Sequence, residues 1–210
     1  MSVPMSVQQV PVPRSAVVVY RDDGGLAKAM GAVVAGQLPP LPPAIAGAFV
    51  SGVLLVLGVA GSPSLAIFLP VVALLLIGSG SSHPHDGKLD WLVPPILRVL
   101  EYAFVVSVGF AESVPQPLLF ALLGAVLFHH YDLTQRVRQR VYPPTWLAAA
   151  GLGWEGRMLL VGLVMIPGAV PFWFGLLAVY LWALFLWESV TAWLAAPGSG
   201  ARTGLAETGE

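Results

Sequence analysis

Long apolar segments, separated by short polar loops, constrain the fold of this chain more than any other feature. A helix needs roughly 17–25 apolar residues to cross a bilayer, and six segments reach or approach that length: residues 41–60, 63–78, 91–110, 114–130, 157–170 and 172–194. Charged residues make up 10% of the chain, whereas about 25% is usual in a water-soluble globule. We therefore expect an all-α, polytopic membrane helix bundle with about six transmembrane helices.

The boundary between the last two segments leaves an alternative open. The letters IPGAVP separate them, and in this stretch Pro167 and Pro171 interrupt a helix while Gly168 permits a reversal. This pattern predicts a tight turn between two spans. Because the fifth segment is short, a five-span bundle with a re-entrant fifth segment is the competing interpretation.

Basic residues are distributed unequally among the loops. The loops after the first, third and fifth segments contain no Lys or Arg, and every basic residue except Arg98 lies in residues 1–40, residues 79–90, residues 131–157 or the C-terminal tail. Because cytoplasmic loops are enriched in Lys and Arg, both termini are predicted to be cytoplasmic. The preference for Arg over Lys is typical of a GC-rich bacterial genome, so we expect a multi-pass protein of the bacterial inner membrane.

The two ends of the chain differ in composition from its centre. We predict a flexible N-terminal arm at residues 1–23, the membrane helix bundle at residues 24–195, and a disordered tail of small and polar residues at 196–210. Leu26, Met30 and Val33 share one helical face. This spacing predicts an amphipathic helix along the cytoplasmic interface before the first span. A flexible arm with a few apolar contacts is the alternative.

Aromatic residues, cysteine and net charge add three further expectations. Trp91, Trp146 and Trp154 are predicted to lie in the interfacial aromatic belt. Cysteine is absent, so a disulfide, a thiolate metal site and a cysteine nucleophile are all excluded. The net charge of −1 argues against a nucleic-acid partner.

The loop SSHPHDGKLDW is more polar than a connection between two apolar segments requires. Imidazole together with carboxylate suits either a divalent metal or a general base with an orienting acid. We therefore take His85, Asp86 and Asp90 as candidate catalytic residues. Candidate ligands for a metal such as Mg²⁺ are His83, Asp86 and Asp90. Alternatively, these side chains are ordinary residents of a membrane boundary, where Asp is also a favoured helix N-cap.

Two charges lie inside the third apolar segment. Arg98 and Glu101 are three residues apart, so they share a helical face and can pair. Charged groups in the hydrocarbon region usually face a bundle interior or a wet cavity. The pair is therefore either part of the wall of a cytoplasmic cleft, with Glu101 as a candidate catalytic residue, or a buried ion pair that locks two helices. Glu188 in the sixth segment closes the same cleft or bonds to a neighbouring helix.

A row of basic residues follows the fourth segment. In HHYDLTQRVRQR, Asp132 and Arg136 are four residues apart and can pair on one helix face. Arginines in such a row can bind phosphate or anionic headgroups. The candidate substrate-binding residues are accordingly Lys88, Arg98, Arg136 and Arg157. The positive-inside rule alone also accounts for basic residues at these positions.

Six short motifs together resemble a known family. YRDDGGLA, GQLPPLPP, HPHDGKLDWLVP, RVLEY, HHYDL and GWEGR follow one another in this order, and the similarity covers nearly all of residues 20–194. The chain resembles an uncharacterised actinobacterial membrane domain that is found fused to or beside nucleotidyltransferase and CDP-alcohol phosphatidyltransferase domains. The resemblance implies a role in phospholipid or phospho-alcohol headgroup metabolism, with such enzymes as partners.

The metal-binding motif of the CDP-alcohol phosphotransferases gives a second comparison. The family pattern is D-x2-D-G-x2-A-R-x8-G-x3-D-x3-D, and His83, Asp86 and Gly87 match its opening with one exchange. Phe104 and Val108 occupy the two later Asp positions. Because these two metal-binding aspartates are missing, the resemblance does not imply a working copy of that site.

Three functional interpretations remain open. The first is a cytoplasmic cleft that binds or transfers a phosphate-bearing lipid or alcohol, as a phosphotransferase- or phosphatase-like enzyme does, with a divalent metal as the expected cofactor. The second is a non-catalytic scaffold or docking module for a CDP-alcohol phosphotransferase. The third, less favoured, is an ion-coupled transporter. Membrane lipids are expected partners in each case, and a homodimer is a further expected assembly.

Overall fold

The computed structural model describes residues 15–60, 67–166 and 168–195, and this part of the chain is all-α. The α-helices are α1 (Ser15–Arg21), α2 (Gly25–Val33), α3 (Leu41–Ala60), α4 (Leu69–Ile77), α5 (Val93–Ala111), α6 (Gln116–Arg138), α7 (Thr145–Ala150), α8 (Gly153–Val164) and α9 (Val170–Ala195). Short 3-10 helices at Gly78–Gly80 and Asp90–Leu92 flank the polar loop between α4 and α5. The predicted tail and the first 14 residues of the predicted arm lie outside the described residues.

Five helical segments are long and apolar enough to cross a membrane, which confirms the predicted polytopic helix bundle. They are Leu41–Gly58, Asp90–Ala111, Gln116–Arg138, Thr145–Val164 and Val170–Leu194. The segment predicted at 63–78 is represented in the described residues by a shorter apolar helix, Leu69–Gly80, and residues 61–66 lie outside them. By length and composition, the chain is a multi-pass membrane protein.

We call the end of the bundle that contains the loop between α4 and α5 its polar end. At this end, the chain after residue 130 is largely helical, where the sequence predicts a long loop. α6 continues to Arg138 instead of ending near residue 130. Leu133 and Val137 lie on its buried face, and the predicted pair of Asp132 and Arg136 is present, with Nη2 and Oδ2 2.7 Å apart. Both effects stabilise the extra turns. After α7, α8 begins at Gly153, so most of the predicted 131–157 loop belongs to helices.

The predicted turn between the last two spans is present. Gly168 has a φ of +72°, a left-handed conformation that glycine adopts readily. Pro171 is the second residue of α9, where a backbone N–H would have no intrahelical acceptor and its absence costs little. Pro167 itself lies outside the described residues. Because α8 and α9 contact each other, the turn joins two neighbouring helices of the bundle.

The apolar core lies where α6 packs against α9 and where α5 packs against α3 and α8. Phe104 of α5, Leu122 of α6 and Phe185 of α9 are fully buried there. α3 lies at the periphery: 22% of its span is buried, compared with 33–56% in the other four. The outward faces of the spans are apolar, as expected where hydrocarbon takes the place of water.

The three tryptophans predicted for the aromatic belt lie in two different environments. Trp91 and Trp146 are exposed at the polar end, as an interfacial belt requires. Trp154 is buried instead. Its indole Nε1 donates to Asp23 Oδ1 at 2.8 Å, so a polar partner inside the protein replaces the lipid interface.

The described part of the predicted arm is packed into the bundle. Residues 15–24, which we call the N-terminal segment, consist of α1 and the turn after it. Arg21, Asp22 and Asp23 in this segment are buried. Buried charges need partners, and these partners, described below, fix the segment in place.

The predicted amphipathic helix is present as α2. Its buried face contains Ala27 and Gly31, and a Cβ on Gly31 would overlap the Ser81 side chain. Leu26 and Val33 remain exposed. An apolar face that is exposed beside the polar end of the spans fits a helix lying in the headgroup region.

A sharp turn between α7 and α8 brings α8 against the N-terminal segment. Leu152 and Gly153 have φ values of +68° and +60°. A Cβ on Gly153 would overlap the backbone N of Gly24, so only glycine permits this approach. The Trp154 N–H donates to the Asp22 carbonyl at 3.2 Å across the same contact.

We expect Gly153→Ala to destabilise the protein far more than its matched control, Gly168→Ala. Both glycines have positive φ, a conformation that costs an alanine roughly 1–2 kcal/mol. A Cβ on Gly168 meets no described atom within 4 Å, whereas one on Gly153 meets Gly24. Thermal unfolding in detergent measures the difference, and equal melting temperatures for the two variants would contradict the contact.

Candidate functional site

The polar end of the bundle contains a group of buried ionisable side chains that we call the charged cluster. None exposes more than 8% of its surface. Isolated charges are costly to bury, so such groups are retained when they are paired and hydrogen-bonded. The members of the cluster are Arg21, Asp22, Asp23, His85, Glu101, His129, His130, Glu155 and Arg157.

Arg157 on α8 lies at the centre of the charged cluster. Its Nε donates to Glu101 Oε1 at 2.6 Å, and its Nη2 donates to Glu101 Oε2 at 3.1 Å and to Asp22 Oδ2 at 2.8 Å. Its Nη1 donates to the Gly151 carbonyl at 3.0 Å. The planar guanidinium has the fork geometry that these acceptors require. Arg157 therefore joins α5, α8 and the N-terminal segment.

Asp22 is held by side chains from α6 and α8. Besides Arg157, His129 Nε2 lies 3.3 Å from Oδ1 and His130 Nε2 lies 3.5 Å from Oδ2. Its φ of +53° is a left-handed conformation that Asp tolerates better than most residues. Burial alone raises the pKa of the Asp22 carboxyl, but Arg157 and His129 together hold this pKa well below its usual range. The surroundings of Asp22 therefore favour the charged form of its carboxyl group.

Asp23 and Arg21 form a second ion pair in the cluster. Arg21 Nε donates to Asp23 Oδ2 at 2.6 Å, on the carboxylate that also accepts the Trp154 indole N–H. Arg21 Nη1 lies 3.2 Å from His85 Nε2. Burial lowers the pKa of His85, and the neighbouring Arg21 charge lowers it further. The pair thus connects the N-terminal segment to the polar loop between α4 and α5.

Glu155 caps the N-terminus of α2. Its Oε2 accepts a hydrogen bond from the Gly24 N–H and its Oε1 accepts one from the Ala27 N–H, both at 3.1 Å. The first N–H groups of a helix have no intrahelical acceptor, and a carboxylate beside them also interacts favourably with the helix dipole. Glu155 therefore fixes the direction in which α2 leaves the cluster.

A separate buried pairing joins α6 to α9. Arg136 donates to both oxygens of Glu188 at 2.7 Å and also lies 2.7 Å from Asp132 Oδ2. Ser189 and Trp193 each donate to Asp132 Oδ1 at 3.0 Å. Glu188 therefore bonds to a neighbouring helix, which is one of the two roles that the sequence left open.

A cleft of about 140 Å³ opens beside the charged cluster, between α1, α6 and α7. Its polar lining includes Asp22, Asp23 and His129, which are buried, and Lys28, which is exposed. Its walls are apolar and come from all three helices and from the prolines before α7. The lining of the cleft therefore combines an exposed lysine with two buried acidic residues.

The candidate residues of the polar loop lie outside this cleft. Asp86 and Lys88 are exposed, and the half-buried His83 has its Nδ1 2.6 Å from the Pro84 carbonyl. Asp90 is buried, and its Oδ2 accepts a hydrogen bond from the Gly87 N–H at 2.9 Å. Across residues 15–60, 67–166 and 168–195, no three His, Asp or Glu side chains are grouped closely enough to hold a metal ion.

The sequence predicts a pair of Arg98 and Glu101, but Glu101 pairs with Arg157 instead. Arg98 is half-buried, and its Nη2 donates to the Tyr20 carbonyl at 3.4 Å. The Arg157 guanidinium reaches both Glu101 oxygens from a facing helix, which is a stronger arrangement than a pair on one helix surface. Glu101 therefore locks two helices. The predicted anion contacts Arg136 and Arg157 are likewise occupied by carboxylates.

Sequence reasoning misses the partners that the N-terminal segment supplies. It assigns Arg21, Asp22 and Asp23 to a flexible arm, although all three are buried in the charged cluster. A usable signal is the placement of charged residues directly beside glycines in YRDDGG and GWEGR. Glycines permit two backbones to approach closely, and charges at such a contact need partners across it.

The sequence profile of a family of unknown function, DUF5941, matches residues 14–210. The chain belongs to this family. The DUF5941 match includes the charged cluster, the cleft and all five candidate spans, and it agrees with the expected resemblance to an uncharacterised domain. Comparisons with curated proteins and with solved structures gave no match.

His85 is expected to make the stability of this DUF5941 protein depend on pH. Arg21, Asp23 and Asp90 surround its ring, and its pKa is lower than the ordinary value of 6.5. The unfolded chain therefore takes up a proton at His85 before the folded protein does. The resulting stabilisation is present above pH 6.5 and is lost as the pH falls through the folded pKa.

Chemical unfolding of wild type and His85→Gln at a series of pH values checks this expectation. Wild type should lose more stability than the variant between about pH 7 and pH 5. Parallel curves for the two proteins would show that His85 does not carry the effect.

Proposed function

We propose that the protein binds the phosphate-bearing headgroup of a lipid or alcohol in the cleft beside the charged cluster. The lining of the cleft carries this proposal, because Lys28 is exposed while Asp22, Asp23 and His129 are buried. A lysine ammonium binds phosphate as a point charge. Carboxylates accept hydrogen bonds from the hydroxyl groups of an alcohol. One molecule with both kinds of group would use both parts of the cleft.

The apolar walls of the cleft favour a ligand that has a carbon skeleton. Val18 of α1, Leu133 of α6 and Ala148 of α7 line it together with Pro143 and Pro144. Small-molecule sites are usually apolar cavities in which a few polar groups fix the orientation of the ligand. A phospho-alcohol or a lipid headgroup has this mixture of apolar and polar surface.

The distribution of exposed charges supports a cytoplasmic position for the cleft. The exposed basic residues Lys28, Lys88, Arg138 and Arg140 lie at the same end of the bundle as the cleft, whereas Glu112 follows α5 at the opposite end. By the positive-inside rule, this distribution favours a cytoplasmic position for the basic end. We therefore propose that the protein lies in a bacterial inner membrane with the cleft facing inward.

The proposed activity is binding without a chemical step. Arg136 and Arg157 are held by carboxylates, so the phosphate contact falls to Lys28. In this proposal the protein receives or presents a headgroup for an enzyme of headgroup metabolism, such as a CDP-alcohol phosphotransferase or a nucleotidyltransferase. Support for these partners comes from the family resemblance of the sequence motifs, which is an association and not a contact.

A scaffold for such an enzyme is the second candidate function. The observation that favours it is the exposed apolar face of α3, which includes Ile45, Phe49 and Val53. Beside these residues, Ala48 and Gly52 line an apolar groove, and small residues at such positions allow helices to associate closely in membranes. Co-purification of the enzyme that persists after the cleft has been blocked would favour the scaffold over the binding function.

Blocking the cleft is expected to weaken ligand binding. Ala148→Leu places three further carbon atoms in a cleft of about 140 Å³, so the affinity for a phosphate-bearing alcohol should fall by about ten-fold or more, or about 1.4 kcal/mol. Ala149→Leu on the exposed side of α7 is the matched control and should bind like wild type.

Calorimetric titration with glycerol 3-phosphate, inositol 1-phosphate and phosphoethanolamine provides the measurement. The proposed function requires that at least one of them bind wild type. It is wrong if none of the three binds, or if Ala148→Leu binds them as well as the control does.

A further inference from the structure

We infer that the ligand of the cleft carries a positively charged ammonium group in addition to its phosphate. This inference rests on the proposed function, because it concerns the same cleft. The corresponding ligand class is a phosphorylated amino alcohol, either free in solution or as the headgroup of a zwitterionic phospholipid.

The first step of the argument is the charge balance next to the cleft. The Arg157 guanidinium is shared between two carboxylates, those of Asp22 and Glu101. Arg21 pairs with Asp23, and these two charges cancel. The group formed by Asp22, Arg157 and Glu101 is therefore left with one negative charge when His129 and His130 are neutral. Glu155 supplies no counter-charge, because it is itself a carboxyl group, whose oxygens accept from backbone N–H groups.

The second step is the position of this unbalanced charge. Of Asp22 and Glu101, only Asp22 is a lining residue of the cleft. Its oxygens accept from Arg157 and lie near His129 and His130, yet an ionised carboxylate has about four acceptor positions. A charge that stays buried without a counter-charge is costly. A cation in the cleft would supply the counter-charge and use the remaining acceptor capacity.

The third step is the distribution of charge along the cleft. Asp22 and Asp23 are buried, whereas Lys28 is exposed. A ligand with an ammonium group at one end and a phosphate at the other would place the ammonium beside Asp22 and the phosphate beside Lys28. Each end would meet a charge of opposite sign. A proton on His129 or His130 is the competing way to balance Asp22, and it predicts no preference for an ammonium-bearing ligand.

The test compares two ligands that differ in one group. Phosphoethanolamine and 2-hydroxyethyl phosphate have nearly the same size, but the first carries an ammonium where the second carries a hydroxyl. We expect the wild-type protein in detergent to bind phosphoethanolamine at least about ten-fold more tightly. Lys28→Ala should lower the affinity for both ligands by the same factor, so that the ratio of the two affinities stays the same. Lys88→Ala, an exposed lysine outside the cleft, is its control.

The outcomes separate this inference from the proposed function. Equal affinity for the two ligands overturns the ammonium inference but leaves phospho-alcohol binding intact. If neither ligand binds, and glycerol 3-phosphate and inositol 1-phosphate do not bind either, both the inference and the proposed function are overturned. These results come from wild-type protein and do not depend on whether a variant at Asp22 folds.

A second arm distinguishes a free ligand from a lipid headgroup. Wild type and Ala148→Leu are extracted from vesicles of phosphatidylethanolamine and phosphatidylglycerol, and the lipids that remain bound are measured. Enrichment of phosphatidylethanolamine on wild type over Ala148→Leu identifies the lipid as the source. If only soluble phosphoethanolamine binds, the ligand is the free phospho-amino alcohol. Enrichment of phosphatidylglycerol in the cleft contradicts the inference.

Discussion

The Arg157 guanidinium is the contact on which the polar end of this bundle depends. It bonds to Glu101 on α5, to Asp22 in the N-terminal segment and to the Gly151 carbonyl before α8. Removing one partner of a buried ion pair costs about 3–5 kcal/mol, which is a large part of a typical stability of about 5–15 kcal/mol. A lysine at this position would supply the charge without the fork geometry.

The pairing of buried charges also decides where a ligand can bind. Arg136 and Arg157 would suit phosphate if they were free, but each is engaged by two carboxylates. The same pairing brings Asp22 to the edge of the cleft and leaves it beside two histidines. Interactions that stabilise the fold thus shape the floor of the proposed site, while the exposed Lys28 remains available for the ligand.

The sequence predicts those features that depend on neighbouring residues. The first span matches α3, because hydropathy is a property of contiguous sequence. The pair of Asp132 and Arg136 is also predictable, since it lies within one helix. The charged cluster is not, because Arg157 lies 135 positions from Asp22 and 56 from Glu101. Local spacing alone, without knowledge of helix packing, selects Arg98 as the partner of Glu101. In the folded protein, the Arg157 guanidinium on the facing helix pairs with Glu101 instead.

Hydrogen–deuterium exchange in Arg157→Met tests the central place of Arg157 most directly. With Asp22 released, the amides of Gly24 and Ala27, which bond to Glu155, should exchange about 100-fold or more faster than in wild type, since about 3–5 kcal/mol is lost locally. The amides of α9 should keep their rates. Arg140→Met, at an exposed position, is the control and should match wild type throughout. Unchanged exchange at Gly24 and Ala27 in Arg157→Met would contradict the account.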